Sequence, residues 1–502
     1  MKNKIRPTLF WGILSIFFLL SQIIKSACDW FDMRFGVSFE EILFTITSPL
    51  SGSDVSFLGE ATKYVISDIA PMFEILGTLL LLAIILRRIR IQLHIETGKL
   101  HTNIDLHKLY QIVCLLCACV LFVNSIRYGF SSLGIDEYIE QKADKTTIYE
   151  DYYIDPNTVT LSNSNPPRNL LYIYLESMET TYLSKELGGY QDINLLPNLT
   201  SLAEENVSFS HNDVLGGTTI TTGTSWTMGA LFATTTGAPF SLPVEGNSMN
   251  TFANFAPGIT SLGDILEKQG YNQVFLCGSD GNFAGRQNYF EQHGNYNVID
   301  YYDMIEEKFI DEDYYVWWGV EDQKLYDIAK TKLTKLAKKE APFNFTMLTV
   351  DTHHVDGYVC EICANTASSQ LANVIQCADS QIYEFINWCK QQDFYENTTI
   401  VIVGDHLRMD SSLVAGFEER KTYNCFINSQ KSPMSSVKNR TFTSMDLFPT
   451  TLSAMGFEIE GDRLGLGTDL FSDKTTLAEE IGIETLNTEL MKFSPYYKKH
   501  FE

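Results

Sequence analysis

Hydrophobic and polar positions divide the chain into two parts with different patterns. Residues 7–24 and residues 109–126 are apolar runs without a charged side chain, and residues 69–86 form a third run that only Glu74 interrupts. Each run reaches the roughly 18–20 residues that a helix needs to cross ~30 Å of hydrocarbon. Later in the chain, short apolar runs alternate with amphipathic stretches. The pattern therefore predicts three transmembrane helices followed by a folded domain.

The first apolar run has a second interpretation, a cleaved signal peptide. No small-x-small cleavage site follows it directly and two further spans come after it, so a retained anchor is favoured. Glu74 also has two interpretations, a functional carboxylate within the membrane or a residue near the outer interface. We favour the interface.

Basic residues indicate how the three spans are oriented. They precede the first span and fill the loop between the second and third: Lys2, Lys4, Arg6, Arg87, Arg88, Arg90, Lys99 and Lys108. Basic clusters next to membrane helices stay on the cytoplasmic side. We therefore expect a membrane domain at residues 1–128, and we expect the rest of the chain to be extracytoplasmic.

The second part of the chain has the pattern of an α/β domain. Four short apolar runs predict strands, at residues 169–175, 272–277, 343–350 and 398–404. Strands that alternate with helices indicate a mostly parallel sheet covered by helices on both faces. We expect a connector at 129–168, the α/β domain at 169–480 and a C-terminal tail at 481–502.

The charge distribution separates the same two parts and excludes one class of partner. The chain has 502 residues, with 62 acidic and 37 basic side chains and a formal net charge of -25. Residues 1–130 carry 12 basic and 10 acidic side chains, which leaves 25 basic and 52 acidic for the remainder. Binding to nucleic acid requires Lys and Arg against the phosphates. A domain with this excess of acidic side chains is therefore not expected to bind nucleic acid.

Metal-binding side chains follow three of the predicted strands. Glu176 follows the first, His353 and His354 follow the third, and Asp405 and His406 follow the fourth. Open α/β sheets bind ligands at the carboxyl ends of their strands. Two carboxylates and one imidazole suit Mn²⁺, Mg²⁺ or Zn²⁺ rather than a soft metal. The sequence therefore predicts a metal site formed by Glu176, Asp405 and His406.

Residues 216–237 could supply a nucleophile, because they are dense in Thr and Gly and pass into an apolar, helix-like run at 226–234. A hydroxyl at a helix N-terminus meets free N–H groups and the positive end of the helix dipole. In isolation, a threonine N-cap explains this pattern. Beside a metal site, a threonine nucleophile becomes reasonable, because a cation lowers the pKa of a hydroxyl.

The cysteines of the α/β domain include a cluster of three, Cys360, Cys363 and Cys377. Disulfides persist outside the cytoplasm, where we expect this domain. The spacing does not decide which two cysteines pair, and a disulfide between Cys363 and Cys377 is the pairing we expect.

Eight segments of residues 169–471 resemble the alkaline phosphatase/sulfatase superfamily in the same order. They are YIYLESMETTY, LLPNLTSLAEENVSFSHN, GTSWT, SDGNFAGRQNYFEQHG, LTVDTHHVDG, IVGDHLRM, DLFPTTLSAMG and DRLGLGTDLF. Within the superfamily, the chain is most similar to the membrane phosphoglycerol transferases, namely lipoteichoic acid synthases and the enzymes that decorate periplasmic glucans. The sulfatase nucleophile pattern, Cys or Ser before x-Pro-x-Arg, is absent, which disfavours hydrolysis of sulfate esters.

The resemblance implies a role for each site residue. Thr224 of GTSWT would be the nucleophile and a fourth metal ligand, beside Glu176, Asp405 and His406. Arg286 and His353 would act in catalysis and bind the substrate, and His354 would support substrate binding. Two departures stand out: lipoteichoic acid synthases have a tryptophan where this chain has Ala284, and they usually have five spans.

The resemblance also implies a reaction. The expected activity is transfer of phosphoglycerol from phosphatidylglycerol to a glycan or a glycerol-phosphate polymer through a phosphothreonine intermediate. It implies a divalent metal cofactor, with Mn²⁺ favoured over Mg²⁺ and Zn²⁺, and a multi-pass protein of a bacterial cell membrane. Phosphoethanolamine transfer and metal-dependent phosphodiester hydrolysis are the alternatives. A sensor without catalysis is disfavoured, because the candidate catalytic residues are intact.

Overall fold

The chain divides into two compact units in a computed structural model that describes residues 7–35, 39, 42–43, 57–97, 100–163, 166–241, 255–410 and 412–502. The first unit comprises residues up to 39 and residues 55–139, and the second comprises residues 40–54 and 140–502. Each unit has its own interior.

Three long helices dominate the first unit: α1 (Pro7–Arg34), α2 (Phe57–Ile89) and α3 (Leu106–Ser132). A hairpin of two antiparallel strands, β1 (Gln92–Thr97) and β2 (Leu100–Asp105), connects α2 to α3. The Asp105 carboxylate begins α3 by accepting hydrogen bonds from the backbone N–H groups of His107 and Lys108. All three helices are long and apolar enough to cross a membrane.

Large apolar side chains of these helices point outward. Ile16, Leu81 and Leu116 are 58%, 59% and 60% exposed, whereas Leu14 and Ala118 are buried between the helices. In water such a surface would be costly, but hydrocarbon solvates it. The first unit therefore has the surface of a membrane-embedded bundle.

Each helix extends beyond the apolar run that predicts it. Polar side chains pair between α1 and α2: the Gln22 amide donates to the Asp68 carboxylate at 2.8 Å, and Ser26 also donates to Asp68. Asp68 therefore has hydrogen-bond partners within the bundle.

A six-stranded sheet organises the second unit, in the order β6-β5-β7-β4-β8-β9. The strands are β4 (Asn169–Leu175), β5 (Asn272–Cys277), β6 (Asn297–Ile299), β7 (Phe343–Leu348), β8 (Thr398–Gly404) and β9 (Asn424–Ile427). All neighbouring pairs are parallel except β8 and β9, which are antiparallel. Short strand pairs also join β3 (Leu161–Ser162) to β10 (Glu458–Ile459), and β11 (Arg463–Leu464) to β12 (Gly467–Thr468).

Helices cover both faces of this sheet, and the central strand β4 shows how the sequence produces the two layers. Leu170, Tyr172 and Tyr174 belong to the core on one face, and the alternate residues Leu171 and Ile173 belong to the core on the other. Since side chains alternate along a strand, a strand buried on both faces must be apolar throughout. The structure confirms the predicted fold class, three apolar helices followed by a mostly parallel α/β domain.

The helices of the second unit vary in length. They are α4 (Ile135–Ala143, which spans the boundary between the units), α5 (Ile148–Tyr152), α6 (Pro197–Glu205), α7 (Thr227–Thr236), α8 (Leu262–Lys268), α9 (Arg286–Gln292), α10 (Tyr301–Glu306), α11 (Asp322–Leu336), α12 (Gln370–Cys389), α13 (Leu447–Ala454), α14 (Leu477–Ile481), α15 (Ile483–Met491) and α16 (Pro495–His500).

Candidate active site

Three adjacent strands deliver polar side chains to one edge of the sheet. In the register, Leu175 at the end of β4 lies opposite Gly404 at the end of β8, and Tyr174 lies opposite Leu348 at the end of β7. The residues that follow these ends therefore meet at the carboxyl edge. This is where open α/β sheets place their binding sites.

Glu176, Asp405 and His406 form a compact cluster at this edge. Each offers one ligand atom, and these atoms all lie within 4.8 Å of one another. His406 Nε2 is 3.5 Å from Glu176 Oε1 and 3.6 Å from Asp405 Oδ2. All three side chains are almost completely buried.

Hydrogen bonds orient the cluster so that its lone pairs face inward. Asp405 Oδ1 accepts from the backbone N–H groups of Ser177 and His406, both at 2.8 Å, while Asp405 Oδ2 accepts no hydrogen bond within the described ranges. His406 Nδ1 donates to the carbonyl of Leu407 at 2.7 Å, which leaves Nε2 with its lone pair. Such second-layer bonds are typical of histidine and carboxylate metal ligands.

The electrostatics of the cluster fit a cation. Burial and the neighbouring charge of Glu176 raise the pKa of Asp405 to about 7. Two carboxylates buried side by side are unfavourable unless a positive charge accompanies them. Two oxygen ligands and one nitrogen ligand suit a divalent cation such as Mn²⁺, Mg²⁺ or Zn²⁺. Glu176, Asp405 and His406 therefore fit the predicted metal site.

The hydroxyl that reaches this cluster belongs to Thr227. Thr227 Oγ1 lies 3.3 Å from His406 Nε2, and the side chain is half-buried, so it is open to a substrate. Thr227 is the first residue of α7, whose N-terminal N–H groups are free of side-chain caps. The positive end of the helix dipole faces the same point.

Thr224, which the sequence analysis assigned as nucleophile and metal ligand, has a different environment. It is fully buried, accepts a hydrogen bond from the Thr221 N–H at 2.9 Å and donates to the Thr221 carbonyl at 2.8 Å. Its hydroxyl closes the turn before the helix and makes no hydrogen bond to Glu176, Asp405 or His406. Thr227, rather than Thr224, is therefore the threonine whose hydroxyl contacts His406 in this structure, and the assignment of the nucleophile stays a prediction.

Backbone packing explains why the helix begins at residue 227. Gly223 has a φ of 75°, a left-handed conformation that glycine adopts without strain. At Gly229 an added Cβ would lie 2.6 Å from the Gly223 carbonyl oxygen, so the first turn of α7 lies directly against this bend. The two glycines thus fix which threonine faces the metal ligands.

His353 lies beside the cluster as a neutral imidazole. Its Nδ1 donates to the carbonyl of His354 at 2.7 Å, and burial lowers the pKa of His353 below its usual value. The ring of His354 stacks on it, with centroids 4.2 Å apart. A neutral ring that donates through Nδ1 keeps Nε2 as a proton acceptor.

Arg286 is buried at the start of α9. Its guanidinium donates to the Phe283 and Asp280 carbonyls and to the Ser279 hydroxyl, at 2.7–3.1 Å. A series of aromatic contacts leads from Arg286 over Phe283 and Trp318 to His353, with the last two rings 4.6 Å apart. Arg286 and His353 therefore border one continuous ring surface.

The sequence analysis did not single out Thr227, nor the residues whose hydrogen bonds hold the cluster in place. The Ser177 hydroxyl donates to Glu176 Oε1 at 2.6 Å. The buried Arg408 donates through Nη1 to the Thr352 carbonyl at 2.7 Å, and Thr352 donates through its hydroxyl to the carbonyl of Glu176. The proximity of Arg408 to the Asp-His pair was visible in the sequence, but its contact with Thr352, in the loop after another strand, was not.

Comparison with protein families identifies the family to which the second unit is similar. The family model described as Sulfatase matches residues 168–457. The chain belongs to the sulfatase family. The match covers the six-stranded sheet, the cluster of Glu176, Asp405 and His406, and also Thr227 and His353.

Two relatives in sequence are named phosphoglycerol transferase I. The protein from Citrobacter koseri is 29% identical over 480 residues, which is 93% of this chain and 57% of the relative. The protein from Escherichia coli is 29% identical over 473 residues, 92% of this chain and 56% of the relative. The chain therefore spans a little more than half the length of these relatives.

Solved structures are similar in fold at low sequence identity. The lipoteichoic acid synthase LtaP from Listeria monocytogenes is 18% identical, with a TM-score of 0.46 over 62% of this chain and 79% of that protein. Lipooligosaccharide phosphoethanolamine transferase A from Neisseria meningitidis is 13% identical, with a TM-score of 0.48 over 90% of this chain and 85% of that protein.

Proposed function

We propose that this protein is a membrane-bound, metal-dependent phosphotransferase that moves phosphoglycerol from phosphatidylglycerol to a hydroxyl of a cell-envelope glycan or polymer. The observation that carries the proposal is the position of Thr227. Its hydroxyl lies at a helix N-terminus, 3.3 Å from His406 of the buried carboxylate–histidine cluster. Relatives named phosphoglycerol transferase I, similar over nearly the whole chain, support the choice of the group transferred.

Thr227 would act as the nucleophile in two displacements at phosphorus. In the first, a bond forms between Thr227 Oγ1 and phosphorus, and the bond from phosphorus to the diacylglycerol oxygen breaks. The lipid remains in the bilayer. In the second, an acceptor hydroxyl forms the new bond to phosphorus and the threonine hydroxyl is released. The free N–H groups at the start of α7 favour the negative charge of the phosphoryl oxygens.

The other residues would move a proton and position the donor. His353 has a free Nε2, so it can take a proton and return it to a leaving oxygen. His354 stacks on His353 and holds the ring in place. Arg286 has a guanidinium whose remaining donors suit non-bridging phosphoryl oxygens. The ring surface between Arg286 and His353 would hold the glycerol group.

Glu176, Asp405 and His406 would hold the metal, and Mn²⁺ is the ion we propose. When bound, the cation supplies positive charge that lowers the pKa of a nearby hydroxyl and neutralises phosphoryl oxygens. A histidine ligand favours Mn²⁺ over Ca²⁺, and the small oxygen-rich set leaves Mg²⁺ and Zn²⁺ as alternatives.

The donor requires that the catalytic unit face the outer leaflet. The basic residues just before α1 and at the C-terminal end of α2 support a cytoplasmic N-terminus and a cytoplasmic β1–β2 hairpin. With three spans, residues after 132 would then be extracytoplasmic in a bacterial cell membrane. The strong negative charge of this part would repel an anionic bilayer, so the membrane helices rather than surface charge would keep the enzyme at its lipid substrate.

A donor test discriminates this function from its alternatives. The purified full chain is incubated in detergent micelles with Mn²⁺, an oligosaccharide acceptor, and either headgroup-labelled phosphatidylglycerol or headgroup-labelled phosphatidylethanolamine. We expect label on the oligosaccharide only from phosphatidylglycerol, and none with Thr227→Ala. Transfer from phosphatidylethanolamine alone would identify a phosphoethanolamine transferase. Release of label into water, independent of the acceptor, would identify a phosphodiesterase.

A further inference from the structure

Three sulfur atoms converge at the N-terminal part of α12, separate from the carboxylate–histidine cluster. Cys363 and Cys377 are joined as a disulfide, the pairing expected from the sequence. The Cys360 sulfur lies 3.4 Å from the sulfur of Cys363 and 3.9 Å from that of Cys377. A disulfide needs only two cysteines, so the contact of the Cys360 sulfur with both of them requires another explanation.

The other buried cysteines of this unit do not share this arrangement. Cys277 and Cys425 each donate through their thiol to a backbone carbonyl, of Ser279 and Leu202 respectively. They behave as small core residues with one local partner. In the part of the chain that the structure describes, Cys360, Cys363 and Cys377 form the one group of three cysteines whose sulfurs could share a metal ion.

A side-chain amide donor faces two of these sulfurs. Gln381 Nε2 donates to the sulfur of Cys360 at 3.7 Å and to the sulfur of Cys377 at 3.5 Å. Donors favour a negatively charged sulfur. Burial acts in the opposite direction and raises the pKa of the Cys360 thiol. A bound cation would supply the positive charge that a buried thiolate needs.

We propose that Cys360, Cys363 and Cys377 form a second metal site, which takes a soft or borderline divalent cation such as Zn²⁺ when all three sulfurs are thiolates. Thiolates select such cations, whereas Glu176, Asp405 and His406 suit harder ones. This site does not depend on the proposed phosphotransferase activity.

The disulfide and the metal are alternative states of the same sulfurs. Opening the bond between Cys363 and Cys377 takes two electrons and two protons, supplied by an external dithiol that becomes a disulfide. The metal then binds the thiolates and displaces the thiol protons into solvent. Either state connects the segment after His353 to α12, because Cys360 and Cys363 follow that segment and Cys377 lies on the helix.

Cadmium titration of the reduced full chain tests the proposal, because Cd²⁺ bound to thiolates absorbs ultraviolet light and Cd²⁺ bound to oxygen and nitrogen ligands does not. The protein carries Ser at Cys114, Cys117 and Cys119, so the cysteines of α3 cannot contribute. It is purified in detergent, reduced with a phosphine and freed of reductant without oxygen. We expect the charge-transfer band to saturate at about one Cd²⁺ per chain. The unreduced protein should show no band.

Two variants distinguish a three-cysteine site from binding by scattered thiols. Cys360→Ser should reduce the affinity for Cd²⁺ at least about tenfold, because one of three ligands is lost. Cys389→Ser, a buried cysteine on the same helix outside the cluster, should leave the titration unchanged. The absence of a band in the reduced protein would overturn the proposal. An unchanged affinity in Cys360→Ser, or an equal loss in Cys389→Ser, would do so as well.

Discussion

Two threonines three residues apart have different environments: Thr224 lies in a turn, and Thr227 lies at the start of a helix. Thr224 is fully buried and exchanges two hydrogen bonds with the backbone of Thr221. Thr227 is half-buried and directs its hydroxyl at His406. The first hydroxyl stabilises a fold, and the second is available for chemistry.

The difference shows that residue type does not distinguish a nucleophile from a structural hydroxyl. A nucleophile needs access to substrate, a group that withdraws its proton and donors for the developing charge. We propose that Thr227, at the helix start, combines these features. The following predictions change Thr224, Thr227 or the bound metal, which should activate the hydroxyl of Thr227 and not that of Thr224.

Thr227→Ala should have the largest effect. We expect turnover to fall by about three orders of magnitude or more, because removal of a covalent nucleophile leaves only binding and electrostatic contributions. Thr224→Ala should keep at least about a tenth of the wild-type rate once corrected for folded protein. The rate of label transfer from phosphatidylglycerol measures both. An active Thr227→Ala protein would remove Thr227 from the role of nucleophile.

Removal of divalent metal should have the next largest effect. Chelation is expected to lower turnover by about two orders of magnitude, because charge stabilisation at the phosphoryl group is lost. Mn²⁺ should restore the rate better than Ca²⁺, which prefers larger sites of oxygen ligands. His406→Ala should lower metal content in elemental analysis, and the exposed His500→Ala should not. Full activity of a metal-free protein would contradict the assignment of Glu176, Asp405 and His406.

Thr224→Val and Thr227→Val should separate stability from catalysis. Valine at 224 leaves the Thr221 N–H without its buried partner, which costs about 1–3 kcal/mol of the free energy of unfolding. Valine at 227 removes a half-exposed hydroxyl and should change stability by less than about 0.5 kcal/mol. Thermal unfolding of the purified chain in detergent measures the difference. A larger loss of stability at 227 than at 224 would reverse the comparison.

Thr227→Ser should have the smallest effect on turnover. Serine keeps the hydroxyl at the helix start but gains rotamer freedom, so we expect the rate to fall by no more than about tenfold. Thr224→Ser serves as the matched control and should be close to wild type. If Thr227→Ser were as inactive as Thr227→Ala, the methyl group rather than the hydroxyl would matter.

Much of the fold followed from the sequence because burial on both faces forces a strand to be continuously apolar. The bounds of β4, β5 and β8 agree with the predicted runs. Glu176, Asp405 and His406 lie together because β4 and β8, which they follow, are neighbours in the sheet. The short edge strands β6 and β9 were missed. Strands of three or four residues carry too little pattern to separate from loops.

Which threonine hydroxyl contacts His406 did not follow from the sequence, for a specific physical reason. Residues 217–227 offer a hydroxyl at seven positions, and composition treats them alike. The bend at Gly223 and its contact with Gly229 decide which hydroxyl starts α7. Such a close approach between backbone segments has no periodic signature. The same holds for the contact between Arg408 and Thr352, which joins the loops after two strands.

Locating the covalent intermediate tests the central claim most directly. The purified full chain is mixed with Mn²⁺ and phosphatidylglycerol without acceptor, quenched in acid, and analysed by intact mass and peptide fragmentation. The account predicts a phosphoglycerol adduct on Thr227, which disappears when an oligosaccharide acceptor is added. An adduct on Thr224 or another residue, or turnover without any adduct in the wild type, would contradict it.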